Sequence, residues 1–349
     1  MKKTSESARI AVIGAGMMGQ RHIGFMQQIP SASLVAVVDP ATESATIANQ
    51  NNVPWFTDTA TMFHEVKPQG IIVASPTIYH LRPVVEALAR GVHVLIEKPV
   101  TATLSEADTI RQYAADSTSR ILVGHHRRHN PIVSRTREII SGGVIGDLRA
   151  VNGQWTVLKH PDYFTPDWRK DREAGPVLIN LVHEIDYLLD ICGPIHSISA
   201  EMSSHARQFD KEDTAAVIIG FENGALGTFL ISDACPSPWS WENGTAENPL
   251  FPGTGQNAIR FMGSDGALEF PNLRLWSYAE GHSHWHHPID CTEMDFNDED
   301  AFLIQCEHFC QVVLGNQAPM VTLNDGIDTL RSTLAVFEAA ESGSRQILR

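Results

Sequence analysis

Through the first third of the chain, short β-branched and apolar runs alternate with longer stretches of helical spacing. Residues 9–13, 34–38, 70–74, 92–96 and 120–123 predict strands. Between them, 17–29, 40–50, 78–90 and 104–115 predict helices, and Pro76-Thr77 and Gly91 supply start and stop signals for the third of these. Strand–helix alternation predicts a parallel sheet covered on both faces, the Rossmann pattern. After Gly124 the rhythm changes. Residues 131–141 and 176–192 predict helices, 148–158 a long strand, and 213–221 with 225–232 a hairpin turning at Asn223-Gly224. A second strand pair, 257–262 and 267–270, flanks Ser264-Asp265-Gly266, and 302–314 and 325–340 predict closing helices. The fold class is therefore α/β plus α+β: an N-terminal Rossmann parallel sheet, residues 1–124, and a largely antiparallel sheet domain, residues 125–349. The Pro/Gly/Asn-rich stretch 236–256 reads as a long surface loop.

A chain of 349 residues accommodates two domains. Its net charge of −15 argues against nucleic acid and anionic membranes as partners. The charge is uneven, because residues 125–172 hold nine Lys/Arg against five Asp/Glu. Such a stretch is either a solvated surface or a face for an anionic substrate. Five cysteines without a CxxC pair, a polar start and no long apolar run predict a reduced cytoplasmic protein. His282, His284, His286 and His287 invite a metal reading, because alternation on a strand would put three of the imidazoles on one face, but Gly281 and Pro288 make the segment irregular, and no metal is expected.

Gly14-Ala15-Gly16-Met17-Met18-Gly19 follows the first strand and opens the first helix, the context in which G-x-G-x-x-G binds a dinucleotide. The first glycine permits the tight turn, the second admits the pyrophosphate, and the third lets helix and strand pack. Asp39, 20 residues beyond Gly19, ends the second strand, where a carboxylate accepts ribose hydroxyls. No arginine follows it to meet a 2′-phosphate, so NAD is expected over NADP. Glu97-Lys98-Pro99 closes the apolar run 92–96 at its carboxyl end, where open α/β sheets bind ligands.

With these motifs in place, the chain resembles the glucose–fructose oxidoreductase / inositol dehydrogenase family (Gfo/Idh/MocA). His22, Ser75-Pro76-Thr77 with His80, the stretch Gly124 to Pro131, and Ala174-Gly175-Pro176 leading to His183 and Asp186 are similar to its pattern. The resemblance implies a nicotinamide-dependent oxidoreductase acting on sugars, cyclitols or related cyclic alcohols, and a homodimer or homotetramer formed through the open sheet face. It implies cofactor contacts from Gly14, Gly16, Met17, Met18, Gly19, Asp39, Ser75, Thr77, His80, Glu97 and Lys98. Lys98 would stabilise an alkoxide, His183 would take the hydroxyl proton and Asp186 would orient His183. Arg128, Tyr163, Trp168, Arg169 and Asn180 would join Lys98 and His183 around the substrate.

The chain departs from the family at Ile179, where many members carry an aspartate one helical turn before the histidine. At 100° per residue, Ile179, His183, Asp186 and Asp190 share one helix side, and Asn180 lies about 60° round from His183. Two alternatives accompany the sugar or cyclitol expectation. One is a carboxylated cyclic diol or polyol as substrate, and the other a non-catalytic NAD-sensing regulator.

Overall fold

The computed structural model describes residues 7–297 and 299–348. Its contacts divide the chain into two compact units. One comprises the residues up to His129 together with Asp300–Leu330; the other comprises Asn130–Glu299 and the chain from Arg331 onward.

In the first unit the elements run β1 (Ala8–Ile13), α1 (Met17–Met26), β2 (Ala32–Val38), α2 (Ser44–Gln50), β3 (Trp55–Phe56), α3 (Thr59–Glu65), β4 (Gly70–Val73), α4 (Leu81–Leu88), β5 (His93–Ile96), α5 (Leu104–Ala115) and β6 (Ile121–Val123). All six strands are parallel, in the order β3-β2-β1-β4-β5-β6. This is the doubly wound arrangement that the alternating pattern predicts. β4 is buried throughout, as a strand covered on both faces must be. The expected five strands become six because β3 is only two residues long and too short to show a period. The helix after it, α3, is capped by Asp58, whose Oδ1 accepts from Thr61 N at 2.9 Å.

In the second unit the helices are α6 (Pro131–Ser141), α7 (Val182–Cys192), α8 (Trp241–Thr245) and, shared across the division, α10 (Leu323–Ser342), after α9 (Ala301–Val313) of the first unit. The strands are β7 (Leu148–Thr156), β8 (Ile195–Ser203), β9 (Thr214–Phe221), β10 (Leu226–Ser232), β11 (Ile259–Gly263), β12 (Gly266–Phe270), β13 (Arg274–Ser277), β14 (Asp290–Glu293) and β15 (Gln346–Ile347). They form one sheet in the order β14-β13-β12-β11-β7-β10-β9-β8-β15. Every neighbouring pair is antiparallel except β7 with β10. Inward residues such as Val151, Val217, Phe229 and Phe261 pack with Ile185 and Leu188 of α7 and Val336 of α10. The alternate residues Ile218, Leu226 and Leu230 face outward and are exposed.

Three features differ from the sequence pattern. Residues 300–330 pack with the parallel sheet, although the chain pattern groups them with the second domain. Gly70 of β4 shows why: a Cβ there would come within 2.8 Å of Val313 and 3.1 Å of Phe309, so α9 lies directly on the strand. The stretch 176–192 is not one α-helix, because Val177–Leu181 forms a π-helical turn before α7. The loop expected over 236–256 contains α8, and Trp241 is 2% exposed. Its ring lies 5.6 Å from Phe270 and 5.8 Å from Tyr187, and Nε1 donates to Glu247 at 2.8 Å. The polar composition around it conceals one core aromatic. Trp241→Ala is expected to cost about 3–5 kcal/mol by denaturant unfolding, whereas Trp239→Ala, at a half-exposed ring, should cost far less.

Candidate active site

The glycine loop is built by clearance. Gly14 has φ +90°, and a Cβ on it would lie 2.6 Å from Ser75 N. On Gly19 a Cβ would lie 1.8 Å from the Gly14 carbonyl oxygen, so α1 and β1 pack this closely only with glycine there. Gly16 caps α1 without a side chain, and nothing occupies the space its Cβ would take. The first N–H groups of α1 are therefore open to an anion such as a pyrophosphate. Met17, exposed, and Met18 form the first turn of that helix.

Asp39 stands beside this loop. Its Oδ2 accepts from Ala15 N at 2.7 Å and its Oδ1 from Ala41 N at 2.9 Å, which ties the carboxylate to the loop and to the end of β2. A groove of about 810 Å³ opens here, lined among others by Gly14, Asp39, Pro40, Ser75, Tyr79 and Arg82. Its size suits part of a dinucleotide. Arg82, absent from the sequence argument, is already bound to Glu86 at 2.9 Å. The Ser75 hydroxyl is buried without a hydrogen-bond partner among the described residues. Thr77 opens the short turn Thr77–Tyr79 after it. The residues therefore fit NAD: an open helix end, a glycine cradle, a ribose-type carboxylate and an unsatisfied hydroxyl.

His80 is a strut beneath this surface rather than part of its lining. It is 1% exposed, with Nε2 at 2.9 Å from Ser75 O and Nδ1 at 3.3 Å from Val100 O. Burial lowers its pKa, with the two carbonyls opposing.

At the end of β5, Glu97 is buried and Lys98 half-buried. His22 of α1, fully buried, meets Glu97 Oε1 at 2.8 Å through Nε2, and its Nδ1 lies 3.3 Å from Cys306 Sγ. Burial works to raise the Glu97 pKa, but the hydrogen bond and charge of His22, then His126 and Lys98, bring it below the usual value. Glu97 Oε2 accepts from Lys98 N at 3.2 Å, so the charged carboxylate holds the backbone that carries the lysine. Gly124 is required alongside, since its Cβ would lie 3.0 Å from Glu97 Cα.

The basic run after Gly124 is not a solvated surface. His126, Arg127, Arg128 and His129 form a buried turn, and His126 stacks on Phe302 at 3.7 Å. Burial, then Arg128 and Lys98, push the His125 pKa well down. His129 Nε2 meets His308 Nδ1 at 2.8 Å, and burial followed by His308 lowers its pKa to about 3. These contacts fasten the turn to α9.

In the second unit, His183 is half-buried on α7 and Asp186, one turn on, is buried. The π turn places one extra residue between Gly175 and this helix, so the 100° wheel does not carry Ile179 and Asn180 onto its faces. Asn180 instead accepts from Lys159 Nζ at 3.2 Å. The turn is capped by Glu212, which accepts from Val177 N at 2.8 Å. A Cβ on Gly175 would lie 2.2 Å from that carboxylate, which explains the glycine of Ala174-Gly175-Pro176. Tyr163, Trp168 and Arg169 form a stack: the Arg169 guanidinium lies 4.2 Å from the Tyr163 ring and 5.4 Å from the Trp168 ring. Phe164 turns inward to Phe209 and Arg207.

Sequence reasoning missed Lys159, Arg207, Lys211 and Asp233, which meet around one buried carboxylate. They come from separate segments, and no linear motif joins them. Residues 282–287 are an exposed loop in which the rings of His284 and His286 lie 4.8 Å apart. Among the described residues no group of three or more His, Cys, Asp or Glu is arranged to hold a metal ion, and no helix is long and apolar enough to cross a membrane.

Two sheets of this kind, with a nucleotide loop in the first, define a two-domain NAD-binding oxidoreductase. The model of the oxidoreductase family with an NAD-binding Rossmann fold matches residues 8–125, and that of its C-terminal α/β domain matches residues 137–347. The chain belongs to this family, Gfo/Idh/MocA. Among its relatives, D-glucoside 3-dehydrogenase of Escherichia coli (strain K12) is 24% identical over 98% of both chains. The scyllo-inositol 2-dehydrogenase (NAD(+)) of Bacillus subtilis (strain 168) is 24% identical over 96% of this chain and 94% of its own. Of solved structures, an oxidoreductase from Agrobacterium radiobacter in complex with NAD+, L-tartaric acid and magnesium superposes with a TM-score of 0.83 at 16% identity, covering 98% of each chain. Levoglucosan dehydrogenase in complex with NADH and levoglucosan does so at 0.80 and 16%, covering 98% and 99%. At these identities the structural likeness establishes the fold.

Two substitutions test the buried groups. His22→Phe leaves the Glu97 carboxylate buried without its partner, so stability measured by denaturant should fall by about 3 kcal/mol or more. For His129 the folded pKa lies below the ordinary value of about 6.5, so the unfolded chain binds the proton first. Its contribution is full above about pH 6.5 and declines as pH falls towards about 3, at up to ~1.4 kcal/mol per pH unit. His129→Gln should flatten the stability-versus-pH curve over that interval.

Proposed function

We propose that this enzyme moves a hydride between NAD and a secondary hydroxyl of a sugar or cyclitol. The observation that carries the reading is Lys98, half-buried at the carboxyl end of β5 and held there by the buried Glu97 carboxylate, in a sheet whose glycine loop fits NAD. The relatives named as glucoside and inositol dehydrogenases support the substrate class. Arg82, engaged by Glu86, supports NAD over its 2′-phosphorylated form.

Bound NAD supplies the hydride acceptor. In oxidation the carbinol C–H bond breaks with its electron pair leaving as hydride, the O–H proton departs, and the C=O bond forms. Lys98 donates a hydrogen bond to the carbinol oxygen and stabilises its growing negative charge. His183 accepts the proton, as neutral imidazole does near pH 7. Asp186, on the following turn, holds the imidazole in position. Tyr163, Trp168, Arg169, Asn180 and Arg128 serve the substrate. Gly14, Gly16, Met17, Met18, Gly19, Asp39, Ser75, Thr77 and Glu97 serve the cofactor, and His80 braces them.

The reading includes a homo-oligomer formed through the outward sheet face, supported by exposed Ile218, Leu226 and Leu230. It also includes a reducing cytoplasmic setting, in keeping with five free cysteines. Lys98→Ala should lower kcat by about 100-fold or more while NAD affinity, followed by fluorescence titration, stays near that of the parent. Loss of both together would assign the lysine to cofactor anchoring instead.

A further inference from the structure

Lys159 follows β7 and lies in the second unit, half-buried. Its Nζ donates to Asn180 on the π turn leading into the helix of His183. The carboxylate beside it, Asp233, is 3.9 Å away, and both Asp233 oxygens are taken at shorter range. Oδ1 accepts from Arg207 Nε and Oδ2 from Lys211 Nζ, each at 2.6 Å. On its other flank Lys159 Nζ lies 4.8 Å from the centre of the Tyr163 ring.

Arg169 lies against that same ring at 4.2 Å. Its Nη1 donates to the Tyr163 carbonyl at 2.8 Å, and its buried Nε has no acceptor among the described residues. Among the described residues no carboxylate pairs with Arg169. Two cations therefore contact one aromatic ring, and among the described residues neither has a carboxylate at hydrogen-bond distance. Cation–π contact is worth about 0.5–2 kcal/mol, which does not replace a counter-charge in a desolvated place. An arrangement of this kind is completed by an anion.

We propose that Lys159 and Arg169 receive an anionic substituent, a carboxylate or a phosphate, on the ring of the substrate, which is thus an acidic sugar or cyclitol. The ring depends on the hydride-transfer reading above; the anion does not. Tyr163 provides an apolar ring that both cations contact, and Asn180 fixes the lysine. Arg207 and Lys211 keep Asp233 from neutralising it.

Binding should then depend on pH. Burial, the largest influence, lowers the Lys159 pKa to about 8, with Lys211 and Arg207 acting in the same direction and Asp233 and Glu242 against it. Glu242 is itself an acceptor for Trp155 Nε1 at 2.8 Å. The phenol of Tyr163, its pKa raised by burial, stays neutral through this range. Below about pH 8 the lysine is charged and receives the anion; above it, affinity should fall by up to about tenfold per pH unit.

The test is calorimetric titration of the NADH-loaded full chain with matched probes: D-glucose against D-glucuronate, and D-galactose against D-galacturonate. D-Glucose 6-phosphate distinguishes a phosphate site from a carboxylate site. The acidic member of a pair, or the phosphate, should bind about 10- to 100-fold more tightly than its neutral partner. That preference should weaken above pH 8, and Lys159→Met should reduce it towards unity. Equal affinities within each pair, or a preference unaffected by Lys159→Met in a variant that keeps the parent melting temperature, overturn the proposal. So does failure of every acid to bind. A preference for acids without NADH production from any of them in the presence of NAD+ would count against the hydride reading and leave the anion receptor standing.

Discussion

A carboxylate that stays charged while buried organises the chemical end of the first unit. Glu97 is inside the protein, where an ionised group is costly, and His22 makes that state tenable. The pair joins the first helix to the end of β5, and its other oxygen receives the backbone of Lys98. The space the carboxylate needs is left by Gly124. The histidine in turn touches Cys306 on a helix from the far end of the chain. One buried hydrogen bond thus sets the position of the lysine and ties together three segments remote in sequence.

The second unit also places acids in its interior. Glu212 caps the π turn before α7 and excludes any side chain at Gly175, which sets where the helix bearing His183 begins. Asp233, fully buried, gathers Arg207 and Lys211 and leaves Lys159 only partly compensated. In both units a buried acid acts on a neighbouring cation through what it already binds, and the cation is what meets the ligand under the readings argued above.

Much of this was legible in the chain. The β-branched runs of the parallel sheet, the glycine loop with Asp39, and the Asn223-Gly224 turn each carry a local physical signature, and the structure has the corresponding strands, loop and hairpin. Other features have no local signature. A π turn is one residue more than an α turn, and the composition of 177–181 does not announce it. The strand β8 has no clean apolar–polar alternation, since Ser197 and Ile198 are buried side by side and Glu201 and Ser203 are polar. The burial of residues 126–129 runs against their charge and depends on α9, whose Phe302 and His308 take the rings of His126 and His129. The cluster around Asp233 is made by topology alone.

The packing of α9 on the parallel sheet has a consequence for synthesis. The ribosome releases β1 to β6 early, yet part of the cover of Gly70 and of the turn at 126–129 comes from residues 300–313. Until those residues emerge, the nascent Rossmann layer displays an apolar strip and a row of imidazoles and guanidinium groups that the mature protein encloses. A chaperone holding that strip during translation would be protecting a surface that exists only before the chain is finished.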